Sequence, residues 1–522
     1  MSFRSRRAGA FVAALVCVAG AGAGFGTAVA IATQPSATAG HDTRTTTCTD
    51  TVITTRTTTT ITTSSTPTNT ITPTTPLSPA PTTPLSPAPT TITTTVPITT
   101  TVPCTTTTTT PTATTTVPIS DAPPPSAPPS KALTALQKTL GSDLNRQGGK
   151  NSALVIDETT GQTLWNYNAA VDRLPASIEK LYTTSTALLE FGPNATFQTR
   201  VLGTGTLDSN GLWDGTLYLK GGGDPTFGSS HFDHVMYDTG ATVQALVSRL
   251  KRAGVTSVSG RIIGDESYFD SLRGGPDTGY KANIETEGSL SALAFDAGFT
   301  NLKEEQLQGN PPLVATRAFV AALKAAGIKV LKGTKITLGI TPKQAQVLAT
   351  VNSPPLSELL ALTNAPSDNF FAETLLKDIG ARFGKGGTTA DGAAVVSSVI
   401  AAKFGLHPRL DDGSGLSRYD LTNPEQVVLL LRQMQTDPTF WNSLAVAGVS
   451  GTMQDEMVHT RGANNCRGKT GTLHDVANLV GYCKAANGDD LVFAFMMNGL
   501  TDSDAGHTLE DLAGEALANY NG

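Results

Sequence analysis

The amino-acid sequence predicts a mixed α/β (α+β) fold in which helices flank an antiparallel sheet. Two pairs of strand-like segments, near the two ends of residues 131–522, each enclose a short turn and indicate two β-hairpins. Apolar residues at helical spacing mark the segments before and between these hairpins. A Thr- and Pro-dominated stretch from about residue 42 to 130 contains too few large apolar residues to form a core. The fold is therefore expected within residues 131–522.

Composition limits the function classes. The chain has 522 residues, a formal net charge of −6 and only 15% charged residues. This balance gives no basic footprint for nucleic acid. We therefore expect no nucleic-acid partner.

The N terminus carries the pattern of an export signal. Arg4, Arg6 and Arg7 precede an apolar run over residues 8–32, and residues 28–30 (Ala-Val-Ala) offer a small-residue cleavage site. The run is also long enough to span a bilayer. Residues 1–33 are thus either a cleaved signal peptide or a retained membrane anchor, and both export the rest of the chain. Any membrane association is expected through this segment alone.

Residues 34–130 are predicted to form a disordered stalk, because Thr- and Pro-rich chains remain extended and solvated. The sequence leaves open whether this stalk is a passive linker or an O-glycosylated spacer. The cysteine content is also consistent with export. Cys17 lies in the apolar run, and Cys48 and Cys104 lie near the two ends of the Thr-rich stalk.

The globular part begins with a predicted helix over residues 132–147 and a hairpin formed by residues 152–157 and 162–167. A second helix is predicted to begin at Pro175, which suits a first helical turn, and to end at residues 191–193. Ser177 and Lys180 lie three residues apart in that first turn, on one face. A hydroxyl beside an amine at a helix N terminus is typical of a nucleophile with its own base.

The same Ser-x-x-Lys spacing recurs at Ser248 and Lys251, inside an apparent amphipathic helix over residues 243–252. There the two polar residues lie on the predicted solvent side. Spacing alone does not separate the two pairs; the motifs further along the chain favour Ser177.

Two other patterns are interpreted as structural. The glycines at 221–223 lack the spacing and the following Lys-Ser/Thr of a phosphate loop, so a turn is expected. His231 and His234 have no third ligand nearby and are expected at the surface. We therefore predict no metal site and no cofactor. Residues 412–415 (Asp-Gly-Ser-Gly) are expected to form a loop outside the catalytic set.

Further polar motifs follow in order. A helix over residues 356–364 leads to Ser367 and Asn369, and Lys469, Thr470 and Gly471 open a second hairpin that turns near residues 474–475. Residues 478–483 and 491–498 are expected to be strands, and residues 508–519 a closing helix. The same hairpin would place Cys466 opposite Cys483, which makes them candidates for a disulfide between neighbouring strands.

The three motifs, Ser-x-x-Lys, Ser-x-Asn and Lys-Thr-Gly, match the signature of penicillin-binding proteins and serine β-lactamases. With the surrounding residues, the chain resembles peptidase family S13, the low-molecular-mass class C penicillin-binding proteins, over residues 131–522. The resemblance implies a penicillin-binding/serine β-lactamase-like transpeptidase fold with inserted domains between the first and second motifs. It assigns residues 131–196 and 351–522 to the catalytic domain and residues 197–350 to the insertion.

The same resemblance implies a serine-type D-Ala-D-Ala carboxypeptidase, with endopeptidase activity, that acts on peptidoglycan stem peptides. Ser177 would be the nucleophile and Lys180 its base, while Ser367 relays a proton and Asn369 holds the substrate amide. Substrate binding would fall to four residues of the last motif, namely Lys469, Thr470, Gly471 and Thr472. β-Lactams would acylate Ser177 by mimicking the dipeptide.

Two other functions remain open from the sequence. A serine β-lactamase is the nearer alternative, although no Glu-x-x-Leu-Asn context for a deacylating carboxylate follows Asn369 and the insertion is long. A non-catalytic β-lactam- or wall-sensing module is disfavoured by the complete motif set. The family can hold the free amine of the stem peptide with an acidic residue of the insertion. Glu285 and Glu287 lie in a suitable region without a clear match.

Overall fold

The computed structural model describes residues 53–54, 98–99, 129–146, 148–501 and 503–522. The predicted signal or anchor, nearly all of the stalk, and Cys17, Cys48 and Cys104 lie outside the described residues. In the N-terminal part, β1 (Ile53–Thr54) pairs antiparallel with β2 (Ile98–Thr99). The described residues from 129 onward belong to one compact unit. None of the helices described here is both long enough and apolar enough to cross a bilayer.

The first sheet of this unit is antiparallel throughout, as predicted. Its six strands are β3 (Lys150–Asp157), β4 (Thr163–Tyr167), β11 (Ala445–Val446), β12 (Cys466–Leu473), β13 (Val476–Lys484) and β14 (Asp490–Asn498). They lie in the order β11-β12-β13-β14-β3-β4. Both predicted hairpins are present, and the strands nearest the two ends of the globular part, β3 and β14, pair with each other inside the sheet.

Helices cover both faces of this sheet. Strand β14 shows why, because its side chains alternate between two cores: Val492 and Ala494 face one apolar cluster, whereas Phe493 and Phe495 face the other. The helices are α1 (Lys131–Asn145) and α11 (Ser503–Ala518) on the Phe493 side, and α2 (Lys180–Phe191), α6 (Leu356–Asn364), α7 (Asn369–Phe383), α8 (Thr389–Phe404), α9 (Pro424–Met434) and α10 (Pro438–Ser443) on the other.

A second sheet is built from the residues between α2 and α6. The elements of this segment are β5 (Gln198–Leu207), β6 (Leu212–Lys220), α3 (Ser230–Met236), α4 (Val243–Arg252), β7 (Ser257–Asp265), α5 (Pro311–Ala325), β8 (Lys329–Val330), β9 (Lys335–Leu338) and β10 (Gln346–Asn352). The strands lie in the order β10-β5-β6-β7-β8, with β9 also paired to β7, and β6 and β7 are parallel. The elements of this sheet extend from Gln198 to Asn352. They coincide closely with residues 197–350, which the sequence analysis assigns to an insertion. The exact domain boundaries remain a prediction.

The structure contains the expected disulfide. Cys466 and Cys483 are directly opposite one another on β12 and β13, and their sulfur atoms are bonded. The bridge joins two cysteines seventeen positions apart in the chain and ties β12, which carries the Lys-Thr-Gly motif, to the neighbouring β13.

Candidate active site

The nucleophile candidate lies in a 3-10 turn rather than in a regular α-helix. The expected helix from Pro175 is a 3-10 turn over Ala176–Glu179 that runs into α2. Ala176 has a φ of +48°, outside the right-handed helical region, so the first turn cannot be α-helical. Ser177 remains partly exposed in this turn while its neighbours are buried. The predicted end is confirmed, since α2 ends at Phe191 and Gly192 has a φ of +80°.

Lys180 lies at the centre of a set of short contacts. Its Nζ atom is 2.8 Å from Ser177 Oγ, 2.6 Å from Asn369 Oδ1 and 2.7 Å from the carbonyl oxygen of Ser414. The side chain is fully buried. An ammonium donates one hydrogen to each acceptor. A neutral amine that keeps its hydrogens on Asn369 and Ser414 points its lone pair at the Ser177 hydroxyl.

The surroundings favour that neutral form. Burial lowers the pKa of Lys180 to about 8, and the nearby carboxyl groups of Glu287 and Asp412 oppose the shift without cancelling it. An amine with this pKa is deprotonated in an appreciable fraction of molecules near neutral pH. It can therefore accept a proton from the serine.

A second amine repeats the arrangement across the site. Lys469 is also fully buried, and its Nζ donates to Ser367 Oγ at 2.8 Å and to the Thr470 carbonyl oxygen at 2.8 Å. Burial lowers the pKa of Lys469 well below its ordinary value, and the positive charge of Lys180 lowers it further. Two amines and two serine hydroxyls thus meet, although the sequence separates the Ser-x-x-Lys motif widely from the other two.

Strand β12 packs directly against the nucleophile turn. A side chain at Gly471 would overlap the carbonyl oxygen of Pro175, 2.6 Å from the Cβ position, so only glycine allows this approach. Thr470 Oγ1 is hydrogen-bonded to Thr452 Oγ1 at 2.7 Å, and Thr472 follows, half-buried, on the same strand. The backbone N–H groups of Ser177 and Thr472 belong to these two apposed segments.

The structure brings in a loop that the sequence analysis excluded. Residues 412–415 form a loop as expected, but the Ser414 carbonyl is one of the three acceptors of Lys180. Glu373 Oε1 holds that loop by accepting the backbone N–H groups of Gly413 and Ser414, both at 2.9 Å. Glu373 lies one helical turn after Asn369 on α7. This i, i+4 spacing from Asn369 is the sequence feature that could have indicated that Glu373 lies near the site.

Four buried carboxyl groups lie around this loop, on residues Glu179, Glu373, Asp412 and Asp420. Burial raises the pKa of each of them, to about 8 for Glu373 and about 11 for Asp420, and their mutual proximity adds to the shift of Glu373 and Asp420. Burial of Lys180 lowers its pKa by more than the charges of Asp412 and Glu373 raise it. The cluster is therefore compatible with a neutral base.

A turn of the second-sheet segment also reaches the site. Glu287 Oε2 accepts the backbone N–H of Asn369 at 2.8 Å, and the carbonyl oxygen of Glu285 accepts the Asn369 side-chain amide at 2.7 Å. The two glutamates that the sequence analysis left unassigned are thus neighbours of the Ser-x-Asn motif. Glu285 is exposed and Glu287 is partly buried.

Other candidates lie apart from these contacts. His231 and His234 are exposed on α3, as expected for surface residues. Within the described residues, one group has metal-ligand spacing: Glu456, His507 and Glu510, whose ligand atoms lie within 4.8 Å of one another. His507 Nδ1 and Glu510 Oε2 already pair at 2.9 Å. This group includes none of the predicted catalytic residues.

An antiparallel sheet flanked by helices, with Ser-x-x-Lys, Ser-x-Asn and Lys-Thr-Gly motifs meeting at one edge, defines the class of penicillin-binding and serine β-lactamase-like proteins. Solved structures agree on the fold. The crystal structure of penicillin binding protein 4 (dacB) from Haemophilus influenzae superposes with a TM-score of 0.62 at 21% identity, covering 74% of this chain and 99% of that one.

Sequence comparison identifies the family. Residues 134–312 and 306–520 match the model of the D-Ala-D-Ala carboxypeptidase 3 (S13) family, and the chain belongs to it. A D-alanyl-D-alanine carboxypeptidase of Actinomadura sp. (strain R39) is 28% identical over 477 residues, covering 75% of this chain and 86% of the relative. Carboxypeptidase Rv3627c of Mycobacterium tuberculosis is 29% identical over 405 residues, covering 73% and 82%.

Proposed function

We propose that this protein is a serine-type D-Ala-D-Ala carboxypeptidase, and also a DD-endopeptidase, that trims peptidoglycan stem peptides through an acyl-enzyme on Ser177. The observation that supports this most directly is the 2.8 Å contact between Lys180 Nζ and Ser177 Oγ. The lysine side chain is fully buried. Family membership supports the substrate class, since relatives bear the name D-alanyl-D-alanine carboxypeptidase.

The chemistry follows from the two amines. Neutral Lys180 accepts the hydroxyl proton as Ser177 Oγ attacks the carbonyl carbon of the terminal D-Ala–D-Ala amide. The C–N bond then breaks, and the proton leaves with the departing D-Ala amine through Ser367, which Lys469 holds in place. Water hydrolyses the resulting ester and regenerates the serine.

The remaining residues bind and stabilise. Lys469 and Thr470 are suited to the terminal carboxylate of the substrate, and Asn369 to the amide on the acyl side. The backbone N–H groups of Ser177 and Thr472 would form the oxyanion hole, each contributing roughly 3 kcal/mol of transition-state stabilisation. Glu287 or Glu285 would meet the free amine of the stem peptide, because both reach the site from the second-sheet segment. No cofactor enters these steps.

β-Lactams would act as covalent inhibitors of Ser177. A solved structure of the Haemophilus influenzae protein, with a TM-score of 0.59, is a complex with a β-lactam. We further propose that the protein works outside the cytoplasmic membrane, secreted or anchored through residues 1–33, because its substrate is cell-wall material.

Two measurements test this proposal. The first is the release of D-Ala from a synthetic stem pentapeptide that ends in D-Ala-D-Ala, and the second is the lifetime of the penicilloyl-enzyme. We expect stoichiometric D-Ala release and an adduct that persists for minutes or longer. A penicilloyl-enzyme that turns over within seconds, without D-Ala release, would instead identify a β-lactamase. Crosslinked dimeric muropeptides, analysed by mass spectrometry, test the endopeptidase activity.

A further inference from the structure

A cleft of about 320 Å³ opens at the ends of α2 and α7, where these helices meet the second sheet. Three of its side chains are aromatic and three are cationic: Phe191, Phe197, Tyr268, Arg200, Lys220 and Arg382. No carboxylate lines it. Its size and mixture of apolar walls with a few charged groups are typical of small-ligand sites.

Two of the cationic side chains form a cross-strand pair that is expected to destabilise the sheet. Arg200 and Lys220 are directly opposite one another on β5 and β6, and like charges in such cross-strand pairs destabilise a sheet. Lys220 has a 3.6 Å ion pair with Asp265. Arg200 and Arg382 form no ion pair with any carboxylate among the residues that the structure describes. Two guanidinium groups therefore remain available to an anion from outside.

Tyr268 links the two arginines. Burial raises the pKa of the Tyr268 hydroxyl, the buried Asp378 carboxyl raises it further, and the positive charges of Arg382 and Arg200 oppose that rise. Both guanidinium groups are therefore within electrostatic reach of one phenol, which stays a neutral hydrogen-bond donor. An anion between them would also meet the ring of Tyr268, which stacks on Phe269 at a centroid distance of 5.5 Å.

The cleft is distant from the nucleophile yet carried by the same two helices. Lys180 begins α2 and Phe191 ends it, while Asn369 begins α7 and Arg382 lies near its end. At 1.5 Å per residue, the cleft lies about 17 to 20 Å along these helices from the catalytic groups. A fully extended pentapeptide spans at most about 17 Å, so one whose terminus is held at Ser177 reaches the cleft only at its limit, whereas a polymeric substrate spans the whole distance.

We propose that this cleft is a second binding subsite, which holds a carboxylate-bearing part of the peptidoglycan polymer while Ser177 acts on a stem-peptide end. The inference rests on the proposed function and deepens it. The guanidinium groups of Arg200 and Arg382, which line the same cleft, bind the carboxylate through charge-assisted hydrogen bonds. The aromatic walls pack against the adjoining sugar or peptide. The binding chemistry is that of an oxyanion, so phosphate-bearing wall polymers are tested as a separate source.

The test measures binding of soluble, phosphate-free peptidoglycan chains to the full-length Ser177→Ala protein by calorimetry. Adding Arg200→Gln and Arg382→Gln together is expected to weaken binding about tenfold or more, because each removes a charge-assisted contact. Arg261→Gln, at an exposed arginine of β7 outside the cleft, is the matched control and should leave affinity unchanged. The double Arg→Lys variant should restore part of the affinity. A double Gln variant that binds within twofold of its parent would overturn the proposal.

Activity separates this subsite from the active site. In the protein with Ser177 intact, the double Gln variant should release D-Ala from a short pentapeptide at the wild-type rate, while its KM for the polymer rises. Wild-type protein that releases no D-Ala from the pentapeptide refutes the proposed function and leaves the binding result standing. A loss of affinity confined to a phosphate-bearing wall polymer would refute peptidoglycan as the occupant.

Discussion

The chain contains the same four-residue motif, Ser-x-x-Lys, twice, at Ser177–Lys180 and at Ser248–Lys251, and the two pairs lie in opposite environments. Lys180 is fully buried and contacts its serine. Ser248 and Lys251 are both exposed on α4, and Lys251 Nζ donates to the Ala326 carbonyl oxygen at 2.7 Å instead. The Ser-x-x-Lys motif alone is therefore not sufficient to bring the lysine amine into contact with the serine hydroxyl.

The difference lies in what surrounds the amine. Lys180 has two acceptors besides the serine, and these come from α7 and the 412–415 loop. Burial lowers its pKa to about 8. The reactive pair thus depends on distant segments that the four-residue motif does not contain.

Replacing each serine by alanine should give the largest difference in acylation rate between the two Ser-x-x-Lys pairs. Ser177→Ala removes the nucleophile and should lower penicillin acylation and D-Ala release by about four orders of magnitude or more. Ser248→Ala, the matched variant, should leave both rates unchanged. Circular dichroism and mass-spectrometric detection of the adduct check fold and labelling. Labelling that persists in the first variant and disappears in the second would reverse the assignment.

Exchanging the lysines should have the next largest effect. Lys180→Met replaces a buried amine by an apolar side chain of similar length and should slow acylation roughly 100- to 10,000-fold through loss of the base. Lys251→Met should be neutral. Stopped-flow acylation with a fluorescent penicillin measures both. Equal rates for wild type and Lys180→Met would show that another group accepts the proton.

Replacing Glu373, which holds the loop that contacts Lys180, should have a smaller effect on the acylation rate. Glu373→Ala leaves the N–H groups of Gly413 and Ser414 without their buried acceptor, so the loop loses about 1 to 3 kcal/mol of support and acylation should fall roughly 10- to 100-fold. Since burial raises the pKa of Glu373 to about 8, the group is largely protonated at pH 7. Glu373→Gln retains the acceptor and should preserve most of the rate. A Gln variant as slow as the Ala variant would mean that the charge, not the contact, is required.

Much of the fold follows from local patterns. The helix over Leu356–Asn364 is predicted with its observed bounds, because the spacing of its apolar residues acts over a short distance. The second hairpin was predicted from its turn, and the opposite positions of Cys466 and Cys483 followed from that register. Period-2 and period-3.6 patterns carry this information within single elements.

The rest of the site depends on contacts between distant segments. The 3-10 turn at Ala176–Glu179 lies against β12, where Gly471 approaches the Pro175 carbonyl oxygen, and no local propensity encodes this contact. The carbonyl of Ser414 carries no side-chain signature, so its contact with Lys180 is visible only in three dimensions. Glu287 illustrates the same limit, since its partner is a backbone N–H more than eighty residues away.

The most direct test of the central claim is the pH dependence of Ser177 acylation, measured under single-turnover conditions with a fluorescent penicillin. Only neutral Lys180 can accept the proton, so the rate should rise about tenfold per pH unit below its pKa and level off above a midpoint near the value of about 8 that burial gives this amine. A midpoint near the ordinary lysine value of about 10.4, or a rate that does not change with pH across this range, would contradict a buried neutral amine as the base.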